Sequence, residues 1–370
     1  MSQRILITGG AGFIGSHLAR EFLDAGYAVR VLDNLDPQVH GEALRPSYLD
    51  PDIELLNRDV CDRGGLRAAL RGVDMVCHLA AKVGVGQSMY EIAGYTEVNE
   101  LGTAILLEEL TNADIGKLLV ASSMSIYGEG LTRLGSHTVE PPQRSLGQMK
   151  SGNWELQTLD GQPLEPVPTP ETKSPSLTSV YALNKYSQER MSLIWGQAYG
   201  RHVTAMRFFN VYGPDQALSN PYTGVLAIFG ARLLNGRPPM VFEDGLQRRD
   251  FVHVTDVARA CRLALETDAA AGQAINVGSG QSRTVQEVAQ TLARAMGHND
   301  IRLQITGKYR AGDIRHCFAD ITLARALLGF EPQVPYEEGI AELVEWLREQ
   351  IATDGVEQAT EELSRRGLVA

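Results

Sequence analysis

The sequence predicts an α/β protein in which a doubly wound parallel sheet is joined to a smaller C-terminal α/β lobe. Two observations indicate this class. Short apolar runs alternate with helix-like stretches through the N-terminal half of the chain, and a glycine-rich turn stands between the first run and the first helix. Strands that alternate with helices are typical of a parallel sheet that helices cover on both faces.

The first unit reads strand, turn, helix, strand. Arg4 to Thr8 is an apolar run that ends at glycines, helical spacing of apolar residues continues to Gly26, and a second apolar run ends at Asp33. The same alternation continues further along. It predicts strands at Ile53–Leu56, Met75–Leu79, Leu118–Ala121 and Val203–Phe208, and helices at Gly65–Leu70, Gly102–Leu110 and Val180–Gln197.

The alternation stops between Gly128 and Ser179. Seven of the 16 prolines of the chain lie between Pro141 and Pro175, which excludes a single helix or a central strand. We therefore expect a long insertion at about 128–178 with irregular or short hairpin structure.

The remainder of the chain alternates less regularly. We expect a first domain at residues 1–205 that contains the insertion, a second lobe at 206–350 that is partly interleaved with the first, and a polar tail at 351–370 without an assigned function. One helix of the second lobe is expected at Thr255–Glu266, with Thr255 or Asp256 as its cap. Others are expected at Gly224–Asn235 and Thr284–Ala295, with strands at Met240–Phe242 and Phe251–Val254.

Composition excludes several classes of function. A formal charge of −11 argues against nucleic acid as a partner. No apolar run is long enough to span a membrane, and the N-terminus lacks the pattern of a signal peptide, so we expect a cytoplasmic protein. The cysteines form no CxxC pair and predict buried thiols without a metal; they are Cys61, Cys77, Cys261 and Cys317.

The turn from Gly9 to Gly15 has the placement of a dinucleotide-binding motif in a Rossmann-type fold. Glycines allow the tight turn, and the helix that follows presents backbone N–H groups and a positive dipole end to a pyrophosphate. Because this turn follows a strand and opens a helix, it indicates a dinucleotide site. The residues assigned to it are Gly9, Gly12, Phe13, Ile14 and Gly15.

Asp33 ends the second strand at the position where a carboxylate accepts hydrogen bonds from both hydroxyls of the adenosine ribose. It would repel a 2′-phosphate, so NAD is favoured over NADP. The alternative for Asp33 and Asn34 is a polar exit from the strand. Asp59 and Val60, after the third strand, are candidates for the adenine, although Asp59 could equally cap a helix.

Tyr181 and Lys185 stand four residues apart on a predicted helix and therefore share one face. An ammonium and a positive nicotinamide ring would lower the pKa of the phenol, which lets Tyr181 remove a hydroxyl proton while hydride leaves the same carbon. Ser123, at the end of a strand, can hydrogen-bond the same oxygen. These three are the catalytic candidates; the alternative is a packed tyrosine beside a solvated lysine.

With these motifs in this order, the chain resembles the extended short-chain dehydrogenase/reductase family in its sugar-nucleotide epimerase and dehydratase branch. The resemblance runs from about Ile5 to Leu347. Three further segments support it: Arg207–Pro214 (RFFNVYGP), Asp244–Val254 (DGLQRRDFVHV) and Arg310–Asp313 (RAGD).

The resemblance implies NAD in the N-terminal lobe, a nucleoside-diphosphate sugar in the C-terminal lobe, and a homodimer formed through the helices at Gly102–Leu110 and Val180–Gln197. It implies contact of the sugar diphosphate with Asn210, Arg249 and Arg310, which fits the preference of a diphosphate for guanidinium donors. Asp313 and Ser125 complete the substrate residues that it implies. Residues that it places near the cofactor are Leu79, Ala80, Ala81, Asn99 and Phe209.

Position 125 discriminates between the reactions of this branch. The dehydratases and decarboxylases that the chain resembles carry an acidic residue there, and 3,5-epimerases carry a cysteine, whereas this chain has Met124 and Ser125. What remains is oxidation at C4 and return of hydride to the opposite face, which is 4-epimerisation. Overall likeness is greatest to the dTDP-L-rhamnose 4-epimerase type. The alternatives are a UDP-glucose-type 4-epimerase, a dehydratase or decarboxylase, and a non-catalytic NAD-binding protein.

Overall fold

The computed structural model describes residues 2–42, 45–218, 220, 222, 224–310, 312–352 and 354–370. In this part of the chain the strands are β1 (Arg4–Thr8), β2 (Ala28–Asp33), β3 (Glu54–Asn57), β4 (Met75–His78), β5 (Lys117–Ser123), β6 (Thr132–Leu134), β7 (His137–Val139), β8 (Glu165–Pro166), β9 (His202–Phe208), β10 (Asn210–Tyr212), β11 (Met240–Val241), β12 (Arg248–His253), β13 (Ala274–Val277), β14 (Ser282–Thr284), β15 (Gln304–Ile305) and β16 (His316–Cys317).

The α-helices of the described residues are α1 (Phe13–Asp24), α2 (Pro37–His40), α3 (Arg63–Ala69), α4 (Val85–Ser88), α5 (Ile92–Thr96), α6 (Gly102–Thr111), α7 (Leu146–Lys150), α8 (Val180–Tyr199), α9 (Val225–Leu234), α10 (Val254–Glu266), α11 (Val285–Ala295), α12 (Thr322–Leu328), α13 (Tyr336–Leu347) and α14 (Val356–Arg365). A π-helical turn at Glu97–Leu101 leads into α6, and a 3-10 turn at Met124–Tyr127 follows β5.

The main sheet has seven parallel strands in the order β13-β9-β5-β4-β1-β2-β3. From β1 the chain moves outward to β2 and β3, and then returns to the other side of β1 with β4 and β5. A crevice opens at the carboxyl ends of the strands where the order reverses. The doubly wound, Rossmann-type sheet of the sequence analysis is confirmed, and its predicted strands and helices lie within a few residues of the observed ones.

Apolar residues on both faces hold helices against this sheet. Ile5 and Ile7 of β1 are fully buried in a cluster with Phe22 of α1 and Val257 of α10, whereas Leu6 points into a second cluster on the opposite face. That second cluster includes residues of α3, α6 and α8. The alternation of side chains along β1 therefore places a helical layer on each face.

The second lobe is built on a smaller mixed sheet. Strand β12 pairs parallel with β10 and with β16 and antiparallel with β14, and helices α9, α11 and α13 bury a third apolar cluster. The predicted cap of α10 is wrong: the helix begins after His253 without a side-chain cap. Asp256 instead accepts hydrogen bonds from the backbone N–H groups of Gln333 and Val334, at 2.8 and 3.1 Å. The predicted domain boundaries stay a prediction.

The proline-rich insertion contains a small antiparallel sheet in the order β7-β6-β8 and the short helix α7. The predicted short hairpin structure is confirmed by the β6–β7 pair, in which Thr132 lies opposite Val139. Residues 354–370 include α14, whose inner face is buried. Among the described residues, a helix with the length and apolarity needed to cross a membrane was not found.

Candidate active site

A cavity of about 820 Å³ lies between the carboxyl ends of the main sheet and the second lobe. Predicted site residues that are far apart in the sequence line this cavity. Those that line it are Gly9, Gly12, Phe13, Ile14, Gly15, Asp33, Asn34, Asp59, Val60, Leu79, Ala80, Ala81, Ser123, Ser125, Tyr181, Lys185, Phe209, Asn210, Arg249, Arg310 and Asp313.

The glycine-rich turn can exist only with glycine at its closest approaches. A Cβ at Gly15 would lie 2.3 Å from the carbonyl oxygen of Gly9, so the start of α1 packs directly on the turn. Gly9 has φ +70°, and a Cβ there would lie 2.7 Å from the backbone nitrogen of Ala80. The cap residue Gly12 places no side chain on the first-turn amides of α1. This cradle fits the pyrophosphate of a dinucleotide.

Asp33 lies at the end of β2, buried beside the turn. Its Oδ2 accepts a hydrogen bond from the N–H of Ala11 at 3.0 Å, and its Oδ1 accepts one from the N–H of Leu35 at 2.9 Å. Asn34 donates to Asp59 Oδ2 at 2.9 Å. The residue that caps α3 is Asp62 rather than Asp59, so the capping alternative for Asp59 is wrong.

Asn99 is the one cofactor candidate of the sequence analysis that does not line the cavity. It is fully buried in the π-helical turn, and its side chain forms a pair of hydrogen bonds with the backbone of Lys82, at 2.8 and 3.0 Å. Asn99 thereby holds the segment after β4, which includes Ala80 and Ala81, against the cavity. Its position behind the wall depends on tertiary packing and could not be read from the local sequence.

Tyr181 and Lys185 occupy successive turns of α8 and both face the cavity. Burial raises the pKa of Tyr181 to about 12, while the adjacent Ser123 hydroxyl acts in the opposite direction. Burial also lowers the pKa of Lys185 to about 7, and its Nζ donates to the carbonyl oxygen of Ala121 at 3.0 Å. In the protein by itself, burial therefore shifts both Tyr181 and Lys185 toward their neutral forms. The lowered tyrosine pKa that we expect from the sequence depends in addition on the positive nicotinamide ring.

Ser123 is the last residue of β5, and its hydroxyl begins the 3-10 turn that follows. Ser125 donates to Ser123 Oγ both from its N–H, at 3.1 Å, and from its hydroxyl, at 3.0 Å. Directly behind this turn, Ser122 donates to Glu189 at 2.7 Å, and Glu189 forms a buried bidentate pair with Arg207 at 2.7 and 2.9 Å. The end of β5 is therefore fixed to α8 and β9.

The substrate candidates meet on the side of the second lobe. Arg249 donates to the carbonyl oxygens of Ile314 and Arg315, and Arg310 pairs with Asp313 at 3.2 Å. Burial opposes ionisation of Asp313, but the neighbouring guanidinium groups hold its pKa below the usual value. The Oδ1 atom of Asn210 is buried, and among the described residues it has no hydrogen-bond partner.

The insertion supplies residues that the sequence analysis did not single out. The side chain of Arg144 is buried and pairs with Glu129 at 3.2 Å and with Glu243 at 2.7 Å. Its third nitrogen donates to the carbonyl oxygen of Asp313 at 3.3 Å, and Glu243 also pairs with Arg315 at 2.9 Å. These contacts tie the insertion to the loop that carries the substrate candidates. Isolated charges in a proline-rich stretch gave no signal for this arrangement.

The fold and the site together define a dinucleotide-dependent enzyme of the Rossmann type, and comparison with known proteins specifies the family. The family model described as NAD dependent epimerase/dehydratase family matches residues 5–150 and 158–278. The chain is 35% identical over 354 residues to dTDP-L-rhamnose 4-epimerase of Burkholderia thailandensis, covering 94% of this chain and 96% of that one. It is 29% identical over 353 residues to a dTDP-glucose 4,6-dehydratase of Actinoplanes, covering 94% and 98%.

Among solved structures, the UDP-glucose 4-epimerase of Thermus thermophilus in complex with NAD superposes with a TM-score of 0.74 at 31% identity, covering 94% of this chain and all of that one. This chain therefore belongs to the NAD-dependent epimerase/dehydratase family, and its cofactor is NAD. Since both epimerases and dehydratases are among its relatives, the reaction has to be argued from the site itself.

Proposed function

We propose that this protein is an NAD-dependent 4-epimerase of a nucleoside-diphosphate hexose. The observation that carries the proposal is the set of groups around the reactive tyrosine. In the described part of the cavity lining there is no cysteine or glutamate. Its aspartates lie near the ribose end of the cofactor site or with the substrate arginines; they are Asp33, Asp36, Asp59 and Asp313.

That set favours epimerisation over elimination or decarboxylation. A dehydratase needs an acid or base at C5 and C6 in addition to the groups that act at C4. Here position 125 is a serine whose hydroxyl donates to Ser123, so it offers neither a carboxylate nor a thiol. With neither group at position 125, the route that this site favours for a 4-keto sugar is reduction at C4 on the opposite face.

In the proposed reaction Tyr181 removes the proton of the C4 hydroxyl, and Ser123 hydrogen-bonds the same oxygen. Lys185 stabilises the phenolate from the next turn of the helix. Bound NAD supplies the hydride acceptor at C4 and then the hydride donor. The residues proposed to hold it are the cradle at Gly9–Gly15, with Asp33 at the ribose. Because the cofactor is regenerated in each cycle, NAD should act in catalytic amount.

For the sugar nucleotide, we propose a dTDP-linked 6-deoxyhexose of the L-rhamnose and 6-deoxy-L-talose type. The 35% identity to a dTDP-L-rhamnose 4-epimerase over nearly the whole chain supports this choice. The second candidate is interconversion of UDP-glucose and UDP-galactose, which the likeness to a UDP-glucose 4-epimerase favours. Asn210, Arg249 and Arg310 are proposed to contact the diphosphate in either case.

The test is incubation of the protein with dTDP-L-rhamnose, UDP-glucose and other sugar nucleotides without added NAD, with products resolved by chromatography. Formation of 4-epimers without release of water or carbon dioxide is expected. Tyr181→Phe should lose at least about a hundredfold in kcat and retain NAD binding. The matched control is Tyr186→Phe, because Tyr186 lies on the same helix but does not line the cavity. Full activity in Tyr181→Phe would refute the assignment.

We further propose that two copies pair through the outer side of α6 and α8. Large apolar side chains are half exposed on α8 and directly before α6: Leu183 at 46%, Ile194 at 57% and Leu101 at 51%. Burying such residues against a second copy would remove apolar surface from water. Sedimentation of the wild type should give a dimer, and Ile194→Arg should shift it toward monomer; a monomeric wild type would contradict the proposal.

A further inference from the structure

Residues 354–370, here called the strap, run along the substrate side of the cavity. From the sequence, this stretch is expected to be part of a polar tail without an assigned function. In the structure its helix α14 turns Val356, Ala359 and Leu363 inward, at the helical spacing of one buried stripe. The strap residues that line the cavity are Val356, Ala359, Thr360, Leu363 and Leu368.

The strap is anchored at both ends. At its start the buried carboxylate of Asp354 accepts from Arg232 at 3.4 Å and from Arg237 at 3.2 Å. At its end the backbone of Ala370 exchanges two hydrogen bonds with Tyr309, at 2.9 and 3.1 Å. Tyr309 directly precedes Arg310, a substrate candidate. The strap therefore ends beside the residues proposed to hold the diphosphate.

The middle of the strap lies against the wall next to the reactive tyrosine. A Cβ at Gly86 in α4 would lie 3.2 Å from Leu363, so the leucine packs on the α4 backbone. Within the same short helix, the Ser88 hydroxyl accepts from the N–H of Tyr181 at 3.0 Å. The guanidinium of Arg366 stacks over the ring of Tyr90, 4.2 Å from its centroid, and holds the outer side.

These contacts connect the strap both to Tyr309, which precedes Arg310, and to the short helix that contacts Tyr181. In the proposed function the hexose lies between the diphosphate arginines and Tyr181, which is the interval that the strap spans. Its cavity-facing residues carry no ionisable side chain, whereas its charged residues Glu357, Glu361 and Arg365 are exposed. Burying a carboxylate against such a wall without a partner is unfavourable, and a methyl group there is favourable.

We propose that the strap is a specificity-determining wall of the site, which contacts the hexose and favours a 6-deoxyhexose over a hexuronate. This inference rests on the proposed function, because it assumes a nucleotide sugar whose C4 lies at Tyr181. Leu363 is its central residue, and the apolar stripe on either side of it completes the wall.

The first test is Leu363→Ala in the full chain, with the exposed Glu361→Ala of the same helix as control. The KM for dTDP-L-rhamnose should rise at least about tenfold, with kcat and the NAD dissociation constant within about twofold, because a wall contact contributes binding and not chemistry. An unchanged KM overturns the proposal. A parallel loss of NAD affinity also overturns it, because that result would show a purely structural role.

A second test uses Thr360, which is half-buried, so that its replacement leaves no cavity in the core of the protein. UDP-glucose and UDP-glucuronate differ only at C6, and calorimetry with NAD-loaded wild type should show weaker binding of the uronate. Thr360→Lys places a cation in the wall and should raise the affinity for the uronate relative to UDP-glucose at least about tenfold. Preference of the wild type for the uronate, or an unchanged ratio in the variant, contradicts the proposal.

The two hypotheses fail in different ways. If the wild type interconverts no pair of 4-epimers, the proposed function is wrong, and the binding ratios still test the strap without turnover. If the wild type epimerises and Leu363→Ala keeps the wild-type KM, the strap proposal alone is wrong.

Discussion

Replacing Glu189 with glutamine should destabilise the protein far more than the loss of a surface charge. Glu189 lies on α8, the helix that carries the catalytic candidates Tyr181 and Lys185, and is only 1% exposed. It forms a bidentate pair with Arg207 at 2.7 and 2.9 Å and accepts from Ser122 at 2.7 Å. The glutamine has nearly the same shape but no charge, so the guanidinium stays buried without its counter-ion.

The expected magnitude follows from burial. Removing one partner of a buried, hydrogen-bonded ion pair costs about 3–5 kcal/mol, because the other charge is left without compensation. Glu165 and Arg133 form a pair of similar geometry on the surface, at 2.8 and 2.9 Å, with side chains 63% and 46% exposed. Water screens this second pair, so Glu165→Gln should cost less than about 1 kcal/mol.

Urea unfolding, followed by far-UV circular dichroism, measures the free energy of unfolding of both variants and of the wild type. The values are compared with the same dependence of this free energy on urea concentration for all three proteins. The expected difference between them is at least about 2 kcal/mol in the free energy of unfolding. A Glu189→Gln variant that is at least as stable as Glu165→Gln would refute the expected cost of the buried charge. Since Ser122 precedes the catalytic candidate Ser123, the buried variant should also lose turnover at temperatures where it remains folded.

Three further predictions address the cofactor site. Gly15→Ala should weaken NAD binding at least about tenfold in calorimetry, because its Cβ would lie 2.3 Å from the Gly9 oxygen. The control is Gly116→Ala, which has open space around it and should keep the wild-type affinity; equal affinities of the two variants would contradict the prediction. Asp33→Ser should lower the preference for NAD over NADP at least about tenfold in competition binding, and an unchanged ratio would argue against a ribose contact. Burial lowers the pKa of Lys185 from 10.5 to about 7. Between about pH 7 and about pH 10.5 the unfolded chain therefore binds more protons at this lysine than the folded chain does. As a result, the contribution of Lys185 to the free energy of unfolding becomes more favourable as pH rises. The stability of the wild type relative to Lys185→Met should therefore increase between about pH 7 and about pH 9 in urea titrations, and a constant difference would contradict the shifted pKa.

Prediction from the sequence succeeded where the signal was local and repeated. Short continuous apolar runs gave β1 and its neighbours, and the glycines of the first turn have a steric reason that no other residue satisfies. It failed at the cap of α10, because Asp256 is engaged by backbone groups of Gln333 and Val334, far along the chain. Nothing near Asp256 in the sequence distinguishes a cap from such a contact.

The same contrast holds in the candidate site. Motifs indicated the residues that approach the cavity, since a turn, a strand end or one face of a helix places each of them. The expectation that Asn99 lies near the cofactor stays a prediction; the Asn99 side chain does not line the cavity but holds the backbone of Lys82, which does. Arg144 gave no signal at all, because its partners come from the insertion and from the second lobe.

The order of residues alone is enough to predict the parallel sheet, the dinucleotide turn and the candidate tyrosine and lysine of the site, because each depends on spacing within one element or on the junction of two. Folding in three dimensions was needed to bring residues 354–370 back across the cavity and to anchor them beside Arg310 and against α4. Those contacts join segments that lie tens to hundreds of residues apart in the sequence. A polar stretch with a short apolar stripe does not reveal in advance which surface it will cover. The wall that faces the proposed hexose is therefore a property of the tertiary structure.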